Sequence, residues 1–363
     1  MKKSMLSTKQ SYLMCAVGIV VLFGILMGVC ESGMASTYIK GIMMTSCIAI
    51  IMTTSLNLTI GVLGQLTLGC CGFEAIGAYS AALLSKLLVA NGVAMDPTLR
   101  FLLTTLAGGV VACIFGILVG IPALRLHGDY LAIITLGFGE IIRVIIQNLK
   151  VAGGMGLDKG AAGQALIGID RLANLYVVFW ITVVTVVLLF MFARSRYGRA
   201  VKAIRDDEIA AEAMGINLAR HKMISFVVSS FFCGVAGAML AMCNTSVSSV
   251  SFTTSMTYQI LLVVVVGGIG SVSGSVIAAF IYYASSEWWL RFLDLETYTA
   301  SGARVPLLGY GFRMVVFSVL IMIVVLFFRK GIMGTREVSV YDDIRKIGRF
   351  FTRKSAAKGG DAQ

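Results

Sequence analysis

Charge is scarce in this chain of 363 residues: only 13% are Asp, Glu, Lys or Arg, about half the share of a soluble globular domain. That excludes an ordinary water-soluble enzyme or binding module. Proline is limited to three residues and histidine to two, so interruptions of helices fall to Gly, Ser and Thr rather than to Pro. The eight cysteines (Cys15, Cys30, Cys47, Cys70, Cys71, Cys113, Cys233 and Cys243) lie in or at the ends of apolar segments, with no Cys-x-x-Cys pair. They read as small buried hydrophobes and support neither a zinc site nor a disulfide framework. A phosphate-binding Gly-x-x-x-x-Gly-Lys-Ser/Thr loop is also lacking; the nearest run, Gly153-Gly-Met-Gly-Leu-Asp-Lys-Gly, fails its spacing. If ATP drives this protein, another chain binds it.

What the chain has is apolar length. Hydrophobic residues make up 58% and mean hydropathy is +0.90. A helix needs about 20 mostly apolar residues to cross a bilayer. Candidate spans are Tyr12–Val29, Gly41–Ile60, Glu74–Ala90, Phe101–Ile121, Asp129–Asn148, Asn174–Phe192, Met223–Cys243, Tyr258–Ile269, Ser275–Phe292 and Phe312–Phe328. The fold class expected is an all-α polytopic membrane protein of about ten transmembrane helices. The first run follows Lys2 and Lys3 like a signal peptide but is long, with no Ala-x-Ala closely after it, and reads as an uncleaved span.

A net charge of +12 would suit nucleic acid, but its placement follows the positive-inside rule instead. Lys2, Lys3 and Lys9, the seven Lys/Arg of Arg194–Lys222, nine from Arg329 onward, and Arg125 make 20 of the 30 basic residues. All fall on one side if the chain crosses ten times. Both termini and the 195–222 loop are thereby assigned to the cytosol, and the loops near 31–40, 91–100, 150–171, 244–257 and 293–311 to the outside. Residues 1–330 form one transmembrane domain and 331–363 a basic tail. In the tail, Arg345, Lys346, Arg349, Arg353 and Lys354 alternate with apolar residues as in a helix lying on anionic lipid.

Three segments are too rich in Gly and polar groups for a lipid-facing helix: Asn57 to Gly72, Asn244 to Ser255, and Gly267 to Gly274. Irregular backbone at membrane depth is tolerated where it is buried in protein or lines a wet cavity. Asn57, Gly61, Gly64, Gln65, Gly69, Gly267, Gly268 and Gly270 are therefore candidates for helix breaks beside a pathway. The first two segments occupy equivalent places in halves of opposite orientation, which suits an inverted repeat. Few ionisable residues fall inside spans. Glu140 and Arg143, spaced i, i+3, can neutralise one another on one helix. Glu74, beside the first interruption, joins the pathway candidates as a group that would face water or a substrate amine.

The charged 195–222 loop contains a short cytosolic helix at about Asp206–Gly215. Asp206 or Asp207 serves as N-cap, acidic residues fill the first turn, and Gly215 stands where a left-handed cap is needed. Ile209, Ala210, Ala213 and Met214 share one face, Glu208 and Glu212 another. Such a helix can lodge its small apolar face in a groove of another protein, with its charges fixing register.

Several stretches together resemble a known family: Leu56-Asn-Leu followed by Gly64-Gln-Leu-Thr-Leu-Gly, the run from Gly120 through Asp129 to Glu140-Ile-Ile-Arg, the charged loop, and Val266-Gly-Gly-Ile-Gly-Ser-Val-Ser-Gly. In combination and order they resemble LivM-type permeases of branched-chain amino acid ABC importers. The resemblance implies a ten-span permease in the bacterial inner membrane, with ATP and Mg²⁺ bound by partners rather than by this chain. Those partners are a LivH-type permease or a second copy, two cytosolic ATPases and an external substrate-binding protein. It also implies that Arg205, Asp206, Asp207, Glu208, Ala211, Glu212, Ala213 and Gly215 form the coupling helix docked on an ATPase. Some relatives carry urea or short amides instead. A stand-alone channel or ion-coupled carrier is the alternative of another class.

Overall fold

The computed structural model describes residues 37–92, 95–126, 128–148, 157–160, 163–167 and 172–286, with Val319, Met322 and Gly331. Two compact units divide the chain, Gly41–Thr335 and a second made of Met1–Lys40 with Arg336–Gln363. The expected first span, Tyr12–Val29, lies outside the described residues, as do the tail after Gly331 and all but two positions of Phe312–Phe328.

Helix follows helix through most of the chain. In order they are α1 (Thr37–Asn57, continued by a π-helical turn at Leu58–Val62), α2 (Cys70–Ala90), α3 (Pro97–Ala123) and α4 (Asp129–Asn148). After two strands come α5 (Leu175–Arg194), α6 (Arg196–Asp206), α7 (Glu208–Ala213), α8 (Leu218–Asn244), α9 (Thr254–Gly267) and α10 (Val272–Ala284). Among the described residues, five helices are long and apolar enough to cross a membrane: α1 with its π turn, α2, α3, α5 and α8. The chain is thus a polytopic helical membrane protein. The helices α9 and α10 have only 14 and 13 residues, about 20 Å each at 1.5 Å per residue, and meet at the Gly268–Ser271 turn.

The all-α expectation needs one correction. Strands β1 (Leu157–Gly160), β2 (Gly163–Ile167) and β3 (Ser246–Ser248) form a small antiparallel sheet in the order β1-β2-β3. Leu166 of β2 pairs with Val247 of β3. The interruption after α8 is spent on this sheet, so its backbone groups find partners that a helix break would leave open. Pairing also brings the 163–167 and 246–248 segments together.

The core is built where helix backbones touch. A Cβ placed on Gly77 of α2 would come within 2.1 Å of the Gly234 carbonyl oxygen on α8, and one on Gly237 within 2.0 Å of the Glu74 carbonyl oxygen. On α3, a Cβ on Gly108 would lie 2.8 Å from both the Ala238 Cβ and the Gly77 carbonyl oxygen. Without a hydrophobic drive between helices in lipid, close van der Waals packing of small residues and interhelical hydrogen bonds supply the cohesion. The second kind ties α1 to α8: Ser55 donates to the Ser229 carbonyl at 2.7 Å while Ser229 donates to the Ser55 carbonyl at 2.9 Å.

Candidate functional site: two helix breaks and the charged segment that reaches them

The first and third interruptions, more than 200 residues apart in sequence, meet through one side chain. Buried Asn57, at the end of α1, donates from Nδ2 to the Ser271 carbonyl at 2.9 Å and the Ser275 hydroxyl at 2.8 Å. Its Oδ1 accepts from the Gly270 amide at 2.9 Å. Both ends of one amide are thus committed to the α9–α10 turn. Gly61 sits against the same turn so tightly that a Cβ would fall 2.2 Å from the Gly270 nitrogen. Gly268 and Gly270 take φ of 110° and 91°, where a Cβ is disfavoured. Gly267 lacks the Cβ that would lie 2.7 Å from the Gly274 carbonyl.

Truncating Asn57 to alanine strips the part-buried Gly270 amide of its acceptor. The expected cost is about 1–3 kcal/mol, read as a lower unfolding temperature of the solubilised protein. Asn57→Asp is expected to cost more, since a carboxylate loses both donated bonds and faces the Ser271 carbonyl.

The remaining candidates of the first interruption separate into two groups. Gly64 and Gln65 continue from the π turn, and Gln65 Oε1 is buried without a partner among the described residues. Gly69 ends the extended stretch on α4, where the Leu68 amide donates to the Thr135 hydroxyl at 3.0 Å. Glu74 does not face an opening. It lies inside α2 at 0% exposure, one turn beyond the break, with neither carboxylate oxygen partnered among the described residues. The Glu140–Arg143 pair is formed at 2.7 Å, and the Thr254 hydroxyl donates to the other Glu140 oxygen, so the pair also links α4 to α9.

Within the charged segment the single helix expected at Asp206–Gly215 is two. Ser195 caps α6, its hydroxyl accepting from the Gly198 amide at 3.2 Å, and α6 buries Val201 and Ile204. Asp206 belongs to this helix. Asp207 interrupts it with extended backbone (φ −159°, ψ 112°), because its carboxylate turns to accept from the Ile209 and Ala210 amides at 2.9 and 3.0 Å and so starts α7. The boundary expected at 206 therefore moves to Glu208. Gly215, at φ 82°, closes the helix end. Ala211 is buried, Glu212 and Ala213 are exposed, and Ile209 and Met214 are both 82% exposed. Glu208 is held by buried Lys222 at 2.7 Å, which clamps α7 to the start of α8. The α6 helix was legible in Gly198, Val201 and Ile204 at steps of three, a signal that its dense basic charge obscures.

Arg205 reaches the other way. Its Nη1 donates to the Gly61 carbonyl at 2.9 Å, while Nε and Nη2 bond one Asp206 oxygen at 3.1 and 2.9 Å. Its stem passes Gly64, whose φ is +78° and where a Cβ would lie 2.3 Å from the Arg205 Cγ.

Glycine-packed spans, broken helices that share polar contacts, and a short exposed helix between two spans mark a multi-pass helical membrane protein. Residues 38–328 match the family described as branched-chain amino acid transport system / permease component, and the chain belongs to that family, a family of transport permeases rather than enzymes. The high-affinity branched-chain amino acid transport system permease protein LivM of Escherichia coli K12 is 34% identical over 285 residues, covering 71% of this chain and 65% of its own length. A probable LivM of Methanocaldococcus jannaschii is 22% identical over 270 residues, 72% of this chain and 75% of its own. LivH of Salmonella typhimurium is 28% identical over 184 residues, 48% of this chain and 54% of its own. The chain thus spans just under two thirds of the length of the Escherichia coli LivM it matches.

Proposed function

We propose that this chain is the membrane-spanning permease subunit of an ABC importer for branched-chain or related amino acids. Ten crossings, both termini in the cytosol of a bacterium, and halves related as an inverted repeat belong to the same reading. So do the partners: a LivH-type permease or a second copy, two ATPases that bind ATP and Mg²⁺, and an external substrate-binding protein. The names of the LivM and LivH relatives support the substrate class. The observation that carries the reading is α7, a helix capped at both ends, clamped by Lys222 and presenting Ile209 and Met214 with nothing of the described chain over them. An apolar side chain left 82% exposed at Ile209 on this six-residue helix, and another at its C-cap Met214, suit a groove on another protein.

Closure of the ATPases would push α7, and packed spans would shift to alternate access. A free amino acid carries both charges, so its path need not be strongly charged, and weak polar contacts permit release. The test is uptake into proteoliposomes holding the assembled complex. Ile209→Glu and Glu212→Arg are expected to weaken ATPase association and cut ATP-driven leucine uptake at least tenfold. Unchanged association and uptake in both would refute the docking role. Uptake of urea or a short amide in place of leucine would move the substrate, and transport by the isolated chain down an ion gradient would replace the class.

A further inference from the structure

The guanidinium of Arg205 caps the broken end of α1, and we propose that this contact transmits movement of α7 to the paired helix breaks. The inference rests on the reading of α7 as the element that an ATPase moves. Arg205 is then a positioning residue, and its partner is this chain's own backbone rather than the ATPase.

The argument begins with what a helix end leaves open. The last four carbonyls of a helix have no amide following in register to bond them. In the π turn, the Leu63 amide returns to Leu58 and the Gln65 amide to Thr59, so the Gly61 carbonyl takes its donor from elsewhere. Arg205 Nη1 supplies it at 2.9 Å. A cation there also meets the negative end of the helix dipole. Arg205 is one-third exposed at its side chain, so water screens that attraction only in part.

Access to this carbonyl is cut through glycines. The stem crosses Gly64, and Nη1 lies 3.5 Å from where a Gly270 Cβ would stand. A side chain at Gly64 would occupy the place of the arginine stem. Asp206 grips the other edge of the guanidinium through Nε and Nη2, which fixes the planar fork as a lysine ammonium could not be fixed.

The path that results is short and continuous. Asp207 caps α7, and Arg205 lies two residues before it, so α7 cannot shift far without carrying Arg205. Arg205 holds Gly61, Gly61 lies against Gly270, and Asn57 bonds Gly270 and Ser271 at the α9–α10 turn. Each step is a hydrogen bond or a backbone contact, and the one long side chain among them, Arg205, is held at both edges of its guanidinium by Gly61 and Asp206. A segment pushed from the cytosol therefore moves both breaks together.

The experiment uses the assembled complex in proteoliposomes and counts ATP hydrolysed per amino acid imported, alongside ATPase association. Arg205→Met is expected to leave association intact and ATP hydrolysis within about twofold, while import falls at least tenfold. Arg205→Lys is expected to recover part of the import, because an ammonium still reaches the carbonyl. An unchanged ratio of ATP to substrate in Arg205→Met would overturn the proposal, as would loss of association and import together. Amide exchange on the solubilised chain supplies a readout that needs no transport: Arg205→Met should speed exchange at 61–65 and at Gly270 together. Faster exchange confined to 61–65 would also overturn it. Failure of the unmutated complex to bind ATPases or import amino acid, with the exchange result as expected, would fault the functional reading and not the contact.

Discussion

Gly77→Ala should be among the most damaging single-methyl changes in the described structure, lowering the amount of folded protein in the membrane severalfold. The added carbon would stand 2.1, 2.5 and 2.6 Å from the carbonyl oxygen, Cα and carbonyl carbon of Gly234. All three belong to the backbone of α8, so no rotamer change can make room. The helices would have to separate by more than an ångström, loosening the neighbouring Glu74–Gly237 and Gly108–Ala238 contacts as well. Overpacking of this kind costs about 1–3 kcal/mol and sometimes more, and in lipid the lost contacts are themselves the cohesive term. Thermal unfolding in detergent and quantitative immunodetection in membranes both measure it. Gly41→Ala, where nothing lies within 4 Å of the new carbon, is the matched control and should be nearly silent.

Gly61→Ala is expected to abolish import while sparing most of the fold. Its Cβ would meet Asn57 Oδ1 at 2.1 Å, the Gly270 nitrogen at 2.2 Å and the Gly270 Cα at 2.6 Å. The Asn57 side chain can turn away only by giving up three hydrogen bonds, two of them buried, and the Gly270 backbone only by moving the α9–α10 turn. Either response parts the two breaks. Uptake should drop at least tenfold, with a loss of stability no larger than that of Asn57→Ala, since the same bonds are at stake. A variant that imports at the normal rate would show that the breaks need not touch for transport.

Much of the architecture was legible because lipid imposes a simple rule. The segment expected at Asp129–Asn148 is a helix, α4, to the residue, although α4 is not among the helices apolar enough to cross a membrane, and the spans expected at Asn174–Phe192 and Met223–Cys243 differ from α5 and α8 only at their ends. The caps of α7 were readable too, since Asp207 and Gly215 act on backbone within a few residues. Contacts across long separations were not. Asn57 looked like one polar residue in a polar stretch, and its bond to Gly270 spans 213 positions. Arg205 was grouped with the residues facing an ATPase because position alone cannot show which way a long side chain turns. Glu74 was placed beside an opening on proximity in sequence, whereas one further turn of helix carries it into the contact between α2 and α8. The β2–β3 pairing escaped because three and five residues carry too little periodicity to signal a strand.

The glycine contacts between α2, α3 and α8 also settle where motion is cheap. Where two backbones touch there is no side chain to repack, so small rotations of one helix against the other meet hard repulsion at once. These three helices therefore behave as a stator. The short α9 and α10 are held to the rest at their turn, where Gly270 meets Gly61 and Asn57, and through Thr254 on Glu140. On the transport reading proposed above, a cycle would be expressed as their tilt against a frame that stays still.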